Sequence, residues 1–306
     1  MGKTAFIFPG QGAQCVGMAK EFYDACEASR EVFEKASAAA GFSLEELCFT
    51  ENERINETRF TQPALLTACC AILQAVEEAG IHGDVTAGLS LGEYCALVAA
   101  GAMEFGDAVK VVCRRGCFME EAVPGGRGSM AAVLSRKPMP VAEICRDMGK
   151  NVWVANYNCP GQQVITGERV AVEEASQKLL EAGAMRVMPL KVNGPFHSPM
   201  LEGAGEKLKA LLDETEIRAP KLLFVSNVTA EQAQEPEQIR TLLGRQVYSS
   251  VLWQQSVEYM IQNGVDTFVE IGPGKTLGRL VSKISKEVRV FSVETPEDLK
   301  KLASEQ

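Results

Sequence analysis

The chain has 306 residues, 46% of them hydrophobic and 23% charged, and 31 Lys and Arg against 40 Asp and Glu leave a net charge of −9. That length and apolar content suit one large domain with a smaller insert around a substantial core, and the acidic balance argues against nucleic acid as the main partner, leaving room for a local basic patch. No apolar run is read as long enough to span a membrane, so no membrane partner is expected.

The start runs almost directly into "KTAFIF" with no signal or transit pattern, and Phe6 stands where myristoylation at Gly2 needs Ser or Thr. The ten cysteines are scattered, without a C-x-x-C pair and with only two histidines in the chain. They read as reduced, small core residues of a cytoplasmic protein, with no metal site and no cofactor called for.

"TAFIF" (4–8) is a short apolar run stopped by "PGQG", a buried strand followed by a loop. Helix is expected from about Met18 to Ala39 and again over 60–80, where Pro63 suits the first turn and Gly80 the C-terminal cap. "DVTAGLS" reads as a strand ending at Ser90, "LGEYCALVAAGA" as a helix closed by Gly101, and 105–123 as another helix ended by "PGGRG". The texture then changes: strand 129–134, helix 140–149, strands 152–157 and 162–167 as a hairpin around "NCPG", helix 169–183, strand 185–192. This β-α-β-β-α-β order is the ferredoxin-like pattern. It predicts an inserted small subdomain at 127–193 between large-subdomain segments 1–126 and 194–306, with "PGGRG" and "NGPFHSP" as hinges. Beyond it, "GAGEKLKALLDET" is helical, "KLLFVSNV" a strand, "SSVLWQQSVEYMIQNG" mostly helix, "VDTFVEI" a strand, "GKTLGRLVSKI" a helix and "VRVFSV" a last strand. The alternation predicts an α/β fold: an α/β-hydrolase-like large subdomain with a mostly parallel, helix-covered sheet, plus the ferredoxin-like insert.

Gly88, Ser90 and Gly92 form G-x-S-x-G between a strand and a helix, the context of a nucleophile elbow. Glycines allow the sharp turn, and the Leu91 amide with the helix dipole can stabilise an oxyanion. The alternative is structural: Ser90 as N-cap, with Glu93 three residues on completing a capping box. A nucleophilic serine needs a base. His82 lies in a polar turn and reads as a solvated loop residue, whereas His197 lies where a strand ends, the place where α/β sites assemble. No acid is paired with His197 in sequence; a backbone carbonyl could hold its other nitrogen and fix the tautomer.

Two motifs are set aside. "IGPGKTLGRL" (271–280) resembles a Walker A loop, but the glycine required five residues before Gly274 is Val269. "GQGAQC" (10–15) lacks the third glycine of a dinucleotide fingerprint; its amides suit an oxyanion hole or a tight turn.

"FPGQGAQ" (8–14), "GLSLGEYCALVAAGA" (88–102), "RRGCFMEEAVPGGRGSMAAVL" (114–134), "NYNCPGQQVITG" (156–167), "NGPFHSPM" (193–200), "SNVTA" (226–230) and "VEIGPGKTL" (269–277) occur in this order. Together they resemble the malonyl-CoA:acyl carrier protein transacylases of bacterial fatty acid synthesis over essentially the whole chain. The resemblance implies an S-malonyltransferase with two partners, malonyl-CoA and acyl carrier protein. Ser90 would take malonyl as an ester and pass it to the carrier's phosphopantetheine thiol, with His197 as base and then acid. It further implies Gln11 and Leu91 as oxyanion donors, Arg115 as clamp for the malonyl carboxylate, Gln246 as the residue whose carbonyl steadies the histidine, and Asn158 and Gln162 at the mouth. Phe196 resembles the malonyl-selecting form of its segment, whose bulk leaves little room for an α-methyl group. Leu89 departs from the usual histidine before the serine. The chemistry does not use that histidine, so the departure bears on packing and polarity at the elbow.

Three rival readings are a free-standing acyltransferase of a polyketide assembly line, a serine hydrolase, disfavoured by Arg115 and the insert, and a non-enzymatic binding protein, which predicts no acyl adduct. Because the chain is itself acidic, docking of an acidic carrier calls for a local basic patch, with Arg186, Lys191, Lys275, Arg279 and Lys283 as candidates.

Overall fold

The computed structural model describes residues 2–123, 126–192 and 194–305. In chain order the elements are β1 (Lys3–Phe8), α1 (Lys20–Ala25), α2 (Glu27–Ala40), α3 (Leu44–Phe49), α4 (Thr58–Glu78), β2 (Val85–Gly88), α5 (Gly92–Ala99) and α6 (Phe105–Ala122). Then follow β3 (Gly128–Leu134), α7 (Val141–Asp147), β4 (Val152–Cys159), β5 (Gln162–Glu168), α8 (Arg169–Glu181) and β6 (Arg186–Pro189). The chain closes with α9 (Glu202–Asp213), β7 (Leu223–Val225), α10 (Pro236–Gln246), α11 (Trp253–Gln262), β8 (Val265–Ile271), α12 (Thr276–Ile284), β9 (Arg289–Val293) and α13 (Pro296–Ser304).

One sheet has the order β7-β2-β1-β8-β9, and all its pairings are parallel. Its strands read as apolar runs because both faces are covered. Along β1, Phe6 and Phe8 enter one hydrophobic cluster while Ala5 and Ile7 enter another. The second sheet has the order β4-β5-β3-β6 and is antiparallel throughout. With α7 and α8 it gives the expected ferredoxin-like unit, packed on its own cluster around Val133, Val154, Ile165 and Leu179. Pro124, Gly125 and Asn193, within the two expected hinges, lie outside the described residues.

Several boundaries move. The helix expected from Met18 to Ala39 is two helices, because Cys26 takes an extended conformation (φ −127°, ψ 122°) between them. The last strand of the insert is only Arg186–Pro189, and the hairpin turn is confined to Pro160 and Gly161, so Asn158 sits in a strand. The strand before the elbow ends at Gly88, two residues before Ser90. Helices α3, α10 and α13 answer to no element expected from the sequence.

Helix α4 corrects the expectation that no segment has membrane-span character: it is long and apolar enough by length and composition to cross a membrane. However, 83% of its apolar window is buried inside the protein, where it packs as a central core helix. Six of the cysteines are buried and all ten are free; among the described residues no cluster could hold a metal ion.

The register between β1 and β2 pairs Phe8 with Gly88. The loop after β1 and the elbow after β2 therefore leave the sheet side by side at the carboxyl ends of parallel strands, where α/β sheets place their ligands.

Candidate active site

The elbow is built by close backbone approach. A Cβ on Gly88 would lie 1.9 Å from the Gly92 carbonyl carbon, and one on Gly92 would lie 2.2 Å from the Phe8 carbonyl oxygen. Neither glycine has a positive φ; that conformation falls on Ser90 itself (φ 53°). A left-handed non-glycine residue costs roughly 1–2 kcal/mol, and local hydrogen bonds hold it. The Ser90 N–H donates to Asn227 Oδ1 (2.7 Å), and the Ser90 carbonyl accepts from Gln246 Nε2 (2.9 Å). The capping-box alternative does not form: the N-cap of α5 is Leu91 without a side-chain cap, and Glu93 is turned into the core.

Ser90 Oγ is 2.8 Å from His197 Nε2, and His197 Nδ1 is 2.8 Å from the Gln246 carbonyl. A carbonyl only accepts, so the proton of neutral His197 resides on Nδ1 and Nε2 is free to accept from the Ser90 hydroxyl. His197 also has positive φ (58°), and its N–H donates to the Val247 carbonyl (3.1 Å), which fastens its loop to the end of α10. Burial, then the charge of Arg115, lowers its pKa from 6.5 to about 4, against the opposing pull of the Gln246 carbonyl. The base form is therefore populated throughout the neutral range.

This has a sign for stability. The unfolded chain takes up a proton near 6.5 and the folded one only near 4, so burial of neutral His197 weighs against folding as pH falls through that window. Glu93 acts oppositely: burial raises its pKa from 4.5 to about 7, so it weighs against folding as pH rises from 4.5 to 7. An NMR titration of the His197 ring in the resting protein is expected to show a midpoint near pH 4. A midpoint at the ordinary value of 6.5 would mean that burial and Arg115 do not hold it neutral.

Arg115 is 1% exposed, whereas adjacent Arg114 is exposed, with its guanidinium 5.0 Å from the Phe118 ring centroid. The surface-arginine reading thus fits Arg114 and not Arg115. Gly116 explains the placement, since a Cβ there would lie 2.7 Å from Arg59 Cα; its absence lets α6 lie against the start of α4. Arg115 then donates Nη1 to Gln62 Oε1 (2.8 Å) and Nη2 to both Gln246 Oε1 (2.8 Å) and Ser90 Oγ (3.1 Å). Its Nε is buried and has no protein partner among the described residues.

Ser90, Leu91, Arg115, His197, Gln11, Asn158, Gln162 and Phe196 all line one cavity of about 220 Å³. Gln246 lies behind it, fully buried. Among the described residues the Gln11 and Leu91 amides donate to no protein acceptor, which leaves both available to a bound oxygen. The Gln11 side chain is held by Thr58 Oγ1 (3.0 Å), and the Gly10 beside it has room only for hydrogen, since a Cβ would lie 2.3 Å from the Leu89 carbonyl oxygen. The Asn158 side chain is buried, and its Oδ1 has no protein partner among the described residues. His82 is exposed and lines no part of this cavity.

The Walker-like segment is occupied by the protein itself. The Leu277 and Gly278 amides at the start of α12 donate to the buried Glu270 carboxylate (3.0 and 2.8 Å), so they are not free to cradle a phosphate.

The model of a family described as "Acyl transferase domain" matches residues 5–298. A malonyl CoA-acyl carrier protein transacylase of Bacillus subtilis is 45% identical over 98% of this chain and 96% of its own length. A solved structure of a malonyl CoA-acyl carrier protein transacylase from Clostridium perfringens is 47% identical, with a TM-score of 0.95 over 99% of this chain and 96% of that one. The chain belongs to this transacylase family. A malonyl-transacylase solved in complex with a type II PKS acyl-carrier protein is also similar, at 37% identity and a TM-score of 0.96 over 99% of this chain and 100% of that one.

Within this transacylase fold, Leu89 lines the cavity, and its hydrogen bonds to the elbow are made by its backbone. Its N–H donates to the Phe8 carbonyl (3.0 Å), its carbonyl accepts from Gly92 (3.0 Å), and its side chain packs against the cluster around Ile7 and Trp253. Sequence reasoning missed three site residues: Gln62, Asn227 and the structural part of Glu93. The available signals were a lone carboxylate in an apolar helix segment and an asparagine in the quoted "SNVTA" with no role attached.

Proposed function

We propose that the protein transfers malonyl from malonyl-CoA to the phosphopantetheine thiol of acyl carrier protein through a Ser90 ester, in fatty acid synthesis and in the cytoplasm. The observation that carries this is the chain Ser90–His197–Gln246 carbonyl, with a buried arginine 3.1 Å from the same hydroxyl.

In the first half-reaction the Ser90 oxygen attacks the thioester carbonyl as His197 Nε2 takes its proton. The Gln11 and Leu91 amides receive the oxyanion. Collapse breaks the carbon–sulfur bond, and the imidazolium returns its proton to the departing coenzyme A thiolate. In the second, the carrier thiol gives its proton to His197 and attacks the ester carbonyl; the Ser90 oxygen leaves and recovers the proton. Arg115 pairs with the free malonyl carboxylate, a role suited to a guanidinium that keeps its charge when buried. Asn158 and Gln162 contact the thioester arm at the mouth, and Phe196 limits bulk at the α-carbon. The same reading divides the chain into 1–126, 127–193 and 194–306, with the cavity walled by residues from all three. Intact mass after mixing with malonyl-CoA tests it: one malonyl adduct is expected, and no adduct would end the proposal.

The carrier docks beside this mouth. Lys275, Arg279, Lys283 and Lys286 line a groove of about 650 Å³ that shares Gln162 with the catalytic cavity, and Lys283 Nζ donates to Gln162 Oε1 (3.2 Å). Arg186 and Lys191 are exposed but do not line the groove. Rim charges act on association and its salt dependence. Charge reversal at Arg279, Lys283 and Lys286 is expected to raise the KM for carrier protein and flatten its salt response, with a smaller effect on malonyl loading. A carrier half-reaction unaltered across a salt series would place docking elsewhere. The solved complex with a type II PKS carrier suggests a second destination, and relative kcat/KM across fatty acid and polyketide carriers separates the two.

A further inference from the structure

We propose that Glu93 is a positioning residue that sets malonyl selectivity by fixing which way the Gln246 side-chain amide points. The proposal rests on Arg115 as the malonyl clamp.

Glu93 is the second residue of α5 and is wholly buried. One carboxylate oxygen accepts the Asn227 N–H and the other accepts Gln246 Nε2. Each of these partners reaches the elbow by a second route. The Asn227 side chain takes the Ser90 N–H and donates Nδ2 to the Gly88 carbonyl (2.7 Å). Gln246 Nε2 also donates to the Ser90 carbonyl, its Oε1 accepts from Arg115 Nη2, and its main-chain carbonyl holds His197.

A glutamine amide has a donor end and an acceptor end of nearly the same shape, so its neighbours decide its orientation. A carboxylate can only accept. It therefore demands Nε2, and the acceptor Oε1 is left facing Arg115. The Ser90 carbonyl, another pure acceptor, makes the same demand, but it sits on a strained residue and is neutral. Once ionised, above about pH 7, Glu93 is the stronger determinant; the Asn227 N–H, the Gln246 amide and the Arg115 charge favour that form against burial.

In Glu93→Gln the new side chain has one oxygen for two donors. The Asn227 N–H is backbone and cannot turn away, so it keeps that oxygen. The new amide NH2 then opposes the Gln246 NH2. Rotating Gln246 removes that clash but sets its Oε1 against the Ser90 carbonyl, and leaving it unrotated pushes the amide away from Glu93. Either response displaces the Oε1 acceptor from Arg115 and moves the fork that receives the malonyl carboxylate. The thioester chemistry depends on the main-chain carbonyl of Gln246, which does not rotate.

The test compares malonyl-CoA with acetyl-CoA in single-turnover loading and steady-state transfer, alongside thermal unfolding. In folded Glu93→Gln the malonyl-to-acetyl ratio of kcat/KM is expected to fall about tenfold or more, expressed in the KM for malonyl-CoA. Gln246→Leu, which retains the main-chain carbonyl but removes the acceptor, is expected to lower the ratio similarly. Adding Glu93→Gln to it should lower the ratio no further, because the first residue acts through the second. A folded Glu93→Gln with the wild-type ratio, or with equal loss on both acyl groups, overturns the proposal. If Glu93→Gln does not fold, an unchanged ratio in Gln246→Leu overturns it instead. Arg115→Ala separates the layers. If it lowers the ratio while the other variants do not, only the Glu93 proposal fails; if it does not, the clamp reading itself fails.

Discussion

Ser90→Ala is expected to eliminate the malonyl adduct seen by intact mass, and to reduce transfer on the order of a thousandfold or more, as for other nucleophile–base units. The variant should remain folded. The Ser90 backbone is held by Asn227 and Gln246 through main-chain atoms, and alanine retains both bonds. Alanine keeps the Cβ that the left-handed backbone already accommodates. His197→Ala should slow loading and discharge alike, because in the proposed mechanism one imidazole handles the proton in both directions. The double variant should lose little more than either single one, since the two residues act as a unit. An adduct that persists in Ser90→Ala, or maps to another peptide, would remove Ser90 as nucleophile. Near-normal turnover in His197→Ala would assign the base to another group.

Arg115→Ala should depress malonyl transfer sharply while sparing acetyl transfer much more. Removing one partner of a buried charged pair costs about 2–5 kcal/mol, or roughly thirtyfold to several-thousandfold in kcat/KM. The structure adds a second consequence. Arg115 donates to Gln62, Gln246 and Ser90 and helps to hold down the pKa of buried Glu93. Without it, Glu93 should take up a proton at higher pH, and the Gln62 acceptor is left unpaired. Some loss of stability is therefore expected together with the change in selectivity. Arg115→Lys should keep the charge but recover only part of the malonyl activity, because an ammonium lacks the planar fork. Equal loss on malonyl and acetyl groups would make Arg115 structural.

What the sequence determined by itself was local or periodic. Short apolar runs bounded by turn residues, such as "TAFIF" before "PGQG", read as strands covered on both faces, and the β-α-β-β-α-β alternation over 127–193 has few compact solutions. G-x-S-x-G after a strand dictated an elbow because its glycines stand where an added Cβ would come within 2.2 Å of neighbouring backbone. Helix α10 was missed although Ile239, Leu242 and Leu243 carry helical spacing, because "PEQIRTLLGRQ" is otherwise polar and follows a loop. The boundary at Cys26 was invisible, since cysteine carries no break signal and the apolar period continues across it.

The tertiary structure decided the partners. Ser90 and His197 are 107 residues apart in the chain, Arg115 and Gln62 are 53 apart, and Glu93 and Gln246 are 153 apart. Nothing in the spacing of residues selects those pairs. Glu93 is the clearest case. Three residues after Ser90, its spacing fits a solvent-facing capping box equally well, and local geometry cannot choose between the two. Folding chose the buried position because there the carboxylate finds the Asn227 N–H and the Gln246 amide. Those donors come from the far end of the chain, and only the packed sheet and its helices bring them beneath the elbow.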